Sequence, residues 1–235
     1  WKGQNDSYTN SRIWPSDIRA HNAKFEKKED PEDKFTPSSG TAFFIDQKGH
    51  LVTNYHVVKG CKDKSKIVYQ DNEVKVKLKA KDKYLDLALL KADIKNEHYI
   101  VISNKSPKKL QRIIAAGYPF GKELSDDLKF TSGIISSLKG LEDDSTRLQI
   151  DAALNYGNSG GPIVEEETGE LVAVAVAGVS KEVTESINFG IKAGSLKNFL
   201  DSNQINTSLL AKNFSFGNVD LSSILENATV YTFCN

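Results

Sequence analysis

Apolar residues occur along most of the chain in short runs that alternate with polar turns. Runs of this kind are SGTAFFID, HLVTNYHVV and YLDLALLKA in the first half, and LKFTSGIISSL, RLQIDAAL and ELVAVAVAGV in the second. Each is short enough for one β-strand, and turn residues such as Gly and Pro separate many of them. Many closely spaced short strands indicate an all-β sandwich or a pair of barrels.

Two segments depart from this simple pattern. In EVKVKLKAK, lysine alternates with apolar residues, which predicts a strand with one solvated face, paired in a hairpin with KIVYQ. The segment SLKNFLDS instead has helical spacing, since Leu196, Phe199 and Leu200 share one helix face. Ser195 is expected to cap this helix at its N-terminus.

The composition narrows the classes of function. The 235 residues include 31 Lys and Arg against 31 Asp and Glu, so the net charge gives no reason to expect nucleic acid or an anionic membrane as the main partner. The longest apolar run, Leu171–Val179, suits a buried strand and is too short to cross a bilayer. The two cysteines, Cys61 and Cys234, are candidates for one disulfide, and no metal or organic cofactor site is expected.

Three polar residues stand out among the strands: His56 in NYHVV, Asp86 in LDLALL and Ser159 in GNSGG. Each has an ordinary structural explanation, as a core histidine, a turn or cap carboxylate and a turn serine. A carboxylate among apolar strand residues nevertheless needs donors to hold it. The order His, Asp, Ser along the chain is that of the chymotrypsin-type triad, and the three together point to nucleophilic catalysis.

With these three residues in this order, the sequence resembles chymotrypsin-fold serine proteases, and more closely their HtrA/Deg branch. The resemblance runs from about Ser39 to Leu200. It rests on SGTAFFID, HLVTNYHVV, DLALLK, AAGYPFG, FTSGIISSL, QIDAALNYGNSGGPIV and INFGIKAG, in the family's order. The resemblance implies an all-β fold of two six-stranded antiparallel β-barrels with short helices and N- and C-terminal extensions.

The implied organisation has four parts. Residues 1–37 form an N-terminal extension, 38–108 the first barrel, 109–200 the second barrel and 201–235 a C-terminal extension. The boundary between the barrels is expected near Asn104–Arg112. The roughly 35 residues after Asp201 are too few for an independent domain, so no PDZ domain is expected there.

The resemblance also implies roles for individual residues. His56 matches the general base, Asp86 the residue that orients the imidazole, and Ser159 the nucleophile. The oxyanion hole maps to Gly157, Asn158 and Ser159, with the backbone N–H groups of Gly157 and Ser159 as donors. Asn158 stands where zymogen-activated relatives have an Asp that pairs with a new N-terminus. Activation here is therefore expected not to depend on a freed N-terminus.

The substrate pocket is the least specific part of the resemblance. It maps to six residues: Leu154, Val176, Ala177, Gly178, Val179 and Phe189. None of them is acidic, so a buried Arg or Lys side chain of a substrate would lack a partner there. A small to medium apolar P1 residue is the prediction.

The implied function is a serine endopeptidase that acts on protein or peptide substrates, with unfolded proteins as one class. Two alternatives remain open: a protease dedicated to one partner or to itself, and a catalytically silent scaffold with the same fold. Relatives form trimers through N-terminal segments, so the aromatic residues of the Trp1–Phe35 arm leave a homo-oligomer open. The family and the candidate disulfide favour a periplasmic or secreted location.

Overall fold

The computed structural model describes residues 35–119, 127–177, 187–207 and 220–235. They form two closed barrels, each of six antiparallel strands, which confirms the predicted fold class. The first barrel consists of β1 (Ser38–Phe44), β2 (His50–Asn54), β3 (Lys66–Tyr69), β4 (Asn72–Asp82), β5 (Leu87–Ala92) and β12 (Thr229–Cys234). The second consists of β6 (Arg112–Gly117), β7 (Lys129–Ser137), β8 (Arg147–Ile150), β9 (Pro162–Glu165), β10 (Leu171–Val176) and β11 (Asn188–Lys192).

The described α-helices are short and lie outside the barrels' strands: α1 (Tyr55–Val58), α2 (Ala193–Ser202) and α3 (Leu221–Ala228). The apolar face predicted for α2 is buried, but Ser195 is not its cap. The helix begins earlier, at Ala193, and the Ser195 hydroxyl instead donates to the carbonyl of Thr146. The α3 helix was not predicted, because the residues after Asp201 were assigned to a C-terminal extension. In the part of the chain that the structure describes, no helix has the length and apolar character needed to cross a bilayer.

The lysine-rich strand forms the expected hairpin. Strand β4 pairs with β3, and Val76 is the buried residue between exposed lysines. The turn residues Gln70 and Asp71 both have positive φ, at 48° and 61°. Such a turn matches the right-handed twist of the two strands that it joins.

The end of the chain belongs to the first barrel. We expected residues 201–235 to form an extension, but β12 pairs with both β1 and β3 and closes the barrel. In the first barrel, β12 lies between β1 and β3. In the second barrel the equivalent position, between β7 and β9, is occupied by β6, the first strand of that barrel. The two barrels therefore have the same strand arrangement, with one strand of the first barrel supplied from the far end of the sequence.

A disulfide ties this last strand to the middle of the first barrel. Cys61 and Cys234 are bonded, with 5.4 Å between their Cα atoms and a sequence separation of 173 positions. Both side chains are buried in the first barrel's core, and Cys61 follows closely after α1. The bond therefore joins the strand that closes the barrel to the segment that carries His56.

We expect replacement of both cysteines by alanine to lower the free energy of unfolding by about 3 kcal/mol, because the open chain gains conformational freedom when it unfolds. For a domain of this size the melting temperature should fall by about 6–12 °C, measured by circular dichroism. Adding reductant to the wild-type protein should produce a similar fall, and should leave the double variant unchanged. Equal melting temperatures for wild type and variant would contradict the expectation.

Three groups of buried apolar side chains hold the barrels together. One fills the first barrel, with Phe44 and Leu51 among its members, and one fills the second, with Ile135 and Leu148. The third combines residues from both barrels with those of α2 and α3. Because protein interiors are close-packed, this shared core fixes the position of one barrel relative to the other.

Candidate active site

His56 and Asp86 form a doubly hydrogen-bonded pair on the first barrel. His56 lies in α1, directly after β2, and its Nδ1 is 2.7 Å from Oδ2 of Asp86. Its backbone N–H donates to Oδ1 of the same carboxylate at 2.8 Å. A carboxylate at Nδ1 favours the tautomer with the proton on that nitrogen, which leaves Nε2 free to accept one.

Asp86 lies in the turn before β5, not within the strand as we expected. It has φ 59°, so the backbone turns sharply there and β5 begins at Leu87. Its carbonyl accepts hydrogen bonds from the Asn54 side-chain amide at 3.0 Å and from the Tyr55 N–H at 3.1 Å. These two donors satisfy the backbone carbonyl, whereas the two donors of His56 compensate for removing the carboxylate from water.

Ser159 lies in the loop between β8 and β9 of the second barrel, next to the segment that carries His56. The close packing at Gly40 of β1 shows this: an added Cβ there would lie 2.8 Å from the Val57 side chain and 3.0 Å from the Ser159 carbonyl oxygen. Ser159 itself is 5% exposed. The loop of one barrel therefore packs against β1 and lies close to the helix that carries His56 in the other.

Thr41 is a residue of this site that the sequence analysis missed. Its backbone N–H donates to the Ser159 carbonyl at 2.9 Å, and its hydroxyl donates to the Gly157 carbonyl at 2.7 Å. The same hydroxyl accepts from the N–H of Tyr118 at 3.0 Å. Thr41 thus joins β1 to the serine loop and to the end of β6. Its position as a polar residue within the apolar run SGTAFFID was the one available sequence signal.

The backbone around Ser159 has the features of an anion-binding loop. Gly157 has φ +95°, a conformation that a side chain disfavours. Neither the Gly157 N–H nor the Ser159 N–H donates a hydrogen bond to any residue that the structure describes. The N–H of Asn158, in contrast, donates to the Asn155 carbonyl at 3.0 Å, so Asn158 is not a third donor. The loop therefore offers two donors, from Gly157 and Ser159.

The Asn158 side chain is buried beneath the loop. The residue is 6% exposed, and its Oδ1 has no hydrogen-bond partner among the described residues. Gly117, the last residue of β6, leaves room for this oxygen, since a Cβ there would approach it to 2.7 Å. Asn158 thus fills an interior position as a neutral amide, where a carboxylate would need a cation.

The Ser159 hydroxyl is bonded to the end of β10 instead of to His56. Its Oγ donates to the carbonyl of Ala177 and accepts from the N–H of the same residue, both at 3.2 Å. No hydrogen bond joins Ser159 and His56 in the described part of the chain. Ser159 and His56 are thus neighbours in the fold, with the serine hydroxyl bonded to Ala177.

Four of the six residues predicted to line the substrate pocket lie in described segments. Val176 and Phe189 are paired across β10 and β11, and Phe189 is buried. Leu154 and Ala177 are buried members of the second barrel's core. Gly178 and Val179 lie outside the described residues. The four described positions carry apolar side chains from one barrel, beside the contact that Ala177 makes with Ser159.

We expect Thr41→Val to lower kcat about tenfold with little change in KM. Valine keeps the shape of the side chain but leaves the Gly157 carbonyl and the Tyr118 N–H without a partner, and each lost partner costs about 1–3 kcal/mol. Steady-state kinetics on a chromogenic peptide measures the change. Thr41→Ser keeps the hydroxyl and is the matched control. A threonine-to-valine change with unaltered kcat would show that this bond does not position the loop.

Comparisons with known proteins find relatives of this chain. The model of the trypsin-like peptidase domain matches residues 40–174, which include His56, Asp86 and Ser159. A probable periplasmic serine endoprotease, DegP-like, of Rhizobium meliloti is 37% identical over 174 residues. The match covers 70% of this chain and 33% of that protein. An uncharacterized protein, y4bJ, of Sinorhizobium fredii is 33% identical over 177 residues, covering 72% of this chain and 28% of its own length.

A solved structure shows the same fold. The HtrA-type protease AlgW, determined with a decapeptide, superposes with a TM-score of 0.58 at 30% identity. The superposition covers 71% of this chain and 52% of that one. The chain thus spans about a third of the length of the two curated relatives and about half of the solved structure. Because the family model covers more than half of the chain and all three candidate residues, the chain belongs to the trypsin-like peptidase family and is HtrA-like within it.

Proposed function

We propose that this chain is a serine endopeptidase that hydrolyses peptide bonds through an acyl-enzyme. The observation that carries the proposal is the His56–Asp86 pair beside a serine loop with two unengaged backbone donors. In the proposed reaction, Oγ of Ser159 attacks the substrate carbonyl carbon while its proton passes to Nε2 of His56. His56 then gives this proton to the leaving amine, and water, activated by the same imidazole, releases the acyl group.

The other residues have supporting roles in this mechanism. Asp86 holds the imidazole in the required tautomer and stabilises it when it is protonated. The N–H groups of Gly157 and Ser159 stabilise the oxygen that becomes negative during attack. Since Asn158 is a buried neutral amide, the loop has no carboxylate at this position that would need a newly freed N-terminus as its partner. This supports activation without zymogen cleavage.

In this mechanism the serine hydroxyl has to leave Ala177 before it reacts. Its bonds to Ala177 would be exchanged for a bond to His56. A substrate that pairs with the end of β10 would compete for the Ala177 backbone groups and release the hydroxyl. We therefore propose a resting state that substrate converts to the reactive one.

A fluorophosphonate tests the function directly, because it bonds covalently to an activated serine. We expect labelling at Ser159, detected by mass spectrometry, at a rate that an unfolded protein substrate such as β-casein increases. Equal rates with and without casein would argue against the resting state. Labelling without casein cleavage would favour a protease dedicated to one partner, and absence of labelling would favour a silent scaffold.

The proposed specificity is for small to medium apolar P1 residues, as Leu154, Val176 and Phe189 provide only apolar side chains. In a panel of peptides that differ at P1, we expect kcat/KM for Val, Ala, Ile or Leu to exceed that for Lys or Arg about 100-fold. Burying a cation without a partner costs several kcal/mol, which is the reason for the difference. Fastest cleavage after Lys or Arg would overturn this specificity.

The cellular location of the protein is also a proposal. A relative whose name describes it as periplasmic, together with the Cys61–Cys234 disulfide, supports an extracytoplasmic location. Protein substrates follow from the proposed activity, and we propose unfolded proteins as one class of them. The proposed homo-oligomer would form through the N-terminal arm, which lies outside the described residues.

A further inference from the structure

Asn54, the last residue of β2, is completely buried where the two barrels meet at the candidate site. Its backbone nitrogen lies against the loop of the nucleophile, since a Cβ added to Gly160 would come within 2.9 Å of it. Its backbone also pairs with Leu87, the residue after Asp86, and His56 follows two positions later in the chain. Asn54 therefore adjoins the serine loop on one side and the Asp86 turn on the other.

The side chain of Asn54 does not cap the helix that follows it. Asn54 occupies the N-cap position of α1, where an asparagine oxygen usually accepts a hydrogen bond from the first turn. Here no side-chain cap bond forms, and Oδ1 is buried with no partner among the described residues. A buried amide oxygen that stays unpaired costs about 1–3 kcal/mol. Stability therefore gives no reason for this oxygen, and the reason for an asparagine lies in its amide nitrogen.

The amide nitrogen of Asn54 bonds to the backbone of Asp86. Nδ2 donates to the Asp86 carbonyl at 3.0 Å, and the NH₂ group has to face this carbonyl because a carbonyl oxygen can only accept. Asp86 has φ 59°, a left-handed conformation that costs energy for a residue with a side chain. The hydrogen bond from Asn54 stabilises this conformation, and the direction in which the Asp86 side chain leaves the backbone depends on it.

We propose that Asn54 is a positioning residue for the His56–Asp86 pair, a role that rests on the serine protease function proposed above. His56 uses both carboxylate oxygens of Asp86, Oδ1 through its backbone N–H at 2.8 Å and Oδ2 through Nδ1 at 2.7 Å. Two bonds to one residue tolerate little rotation of the carboxylate. By holding the Asp86 backbone, Asn54 lets both bonds form at once, although it touches none of the reacting atoms itself.

Asn54→Ala is expected to lower kcat about 30-fold with little change in KM, since misplacing a catalytic group by about 1 Å can cost about a hundredfold in rate. The melting temperature should fall only slightly. The substitution also removes the unpaired Oδ1, and the Asp86 carbonyl keeps the N–H of Tyr55 as a donor. Steady-state kinetics on a chromogenic peptide and circular dichroism measure the two quantities.

Asn96→Ala is the matched control. Asn96 is also buried, and its Nδ2 likewise donates to a backbone carbonyl, that of Asn227, at 3.0 Å. Its Oδ1 accepts from the N–H of His98, so alanine removes two satisfied bonds. Asn96→Ala should therefore lower the melting temperature more than Asn54→Ala does, and should leave kcat unchanged. If Asn54→Ala kept the wild-type kcat, or if kcat followed the melting temperature in the two variants, Asn54 would have no positioning role.

The Nδ1 proton of His56 tests the same role without reference to hydrolysis. A proton held between an imidazole and a carboxylate gives a downfield ¹H NMR signal, and His50 supplies a reference, with its Nδ1 2.6 Å from Oδ2 of Asp46. We expect Asn54→Ala to shift the His56 signal and to leave the His50 signal in place, whereas Asn96→Ala should change neither. An unchanged His56 signal in Asn54→Ala would overturn the positioning role. A shifted signal in a chain that cleaves no substrate would support that role and contradict the proposed function.

Discussion

Replacing Ser159 by alanine is expected to lower kcat for β-casein hydrolysis roughly a million-fold, to the limit of detection. In the proposed mechanism this hydroxyl forms the covalent intermediate, and serine proteases lose about this factor when the nucleophile is removed. The backbone donors of Gly157 and Ser159 remain in the variant, so weak binding of substrate should persist. Casein digestion followed by gel electrophoresis, together with fluorophosphonate labelling, measures the change.

Ser136→Ala is the matched control, since Ser136 is an exposed serine on β7 of the same barrel. It should digest casein at the wild-type rate. The Ser159 variant should also keep its melting temperature, because the hydroxyl makes bonds with one residue, Ala177, at 3.2 Å. Casein cleavage that survives Ser159→Ala would show that the activity comes from another group or from a contaminant.

Replacing Asp86 by asparagine is expected to lower kcat about ten thousand-fold while the fold is kept. The amide oxygen can still accept from the His56 N–H, which now bonds to Oδ1. The amide NH₂ then faces Nδ1 of His56, so that this nitrogen must accept a hydrogen bond instead of donating one. The proton moves to Nε2, and the imidazole can no longer take the proton of Ser159.

Asp82→Asn is the control for this change. Asp82 lies just before the same turn, and its Oδ1 accepts from the N–H groups of Tyr84 and Leu85. An amide oxygen can accept both bonds, so kcat should stay within about twofold of wild type. If Asp86→Asn kept more than a tenth of the wild-type kcat, Asp86 would not act as the residue that orients His56.

Much of the fold was predictable from local patterns. The alternation of lysine with apolar residues predicted β4 and its hairpin with β3, because side chains of a strand point alternately to its two faces. The residues Leu196, Phe199 and Leu200 predicted the buried face of α2, because residues three and four apart share one helix side. The predicted start of α2 was wrong. The helix begins at Ala193, and the Ser195 hydroxyl donates to the Thr146 carbonyl instead of capping the helix.

The errors concern features that depend on distant residues. Residues 201–235 were assigned to an extension, because the place of β12 between β1 and β3 depends on pairing across most of the chain. Asp86 looked like a strand residue because apolar residues flank it on both sides. Its left-handed turn is stabilised by donors from Asn54 and Tyr55, which lie on the neighbouring strand and helix.

The sequence by itself determined which chemical groups are available: one histidine, one carboxylate and one serine in the order of a known family, with glycine where the loop needs positive φ. Those are properties of single residues and their neighbours along the chain. Only the tertiary structure decided that Thr41 holds the serine loop through Gly157, which is 116 positions away, that β12 closes the first barrel and that Ser159 bonds to Ala177. The physical reason is that a hydrogen bond acts over about 3 Å, so partners distant in sequence are determined by the packing of the two barrels.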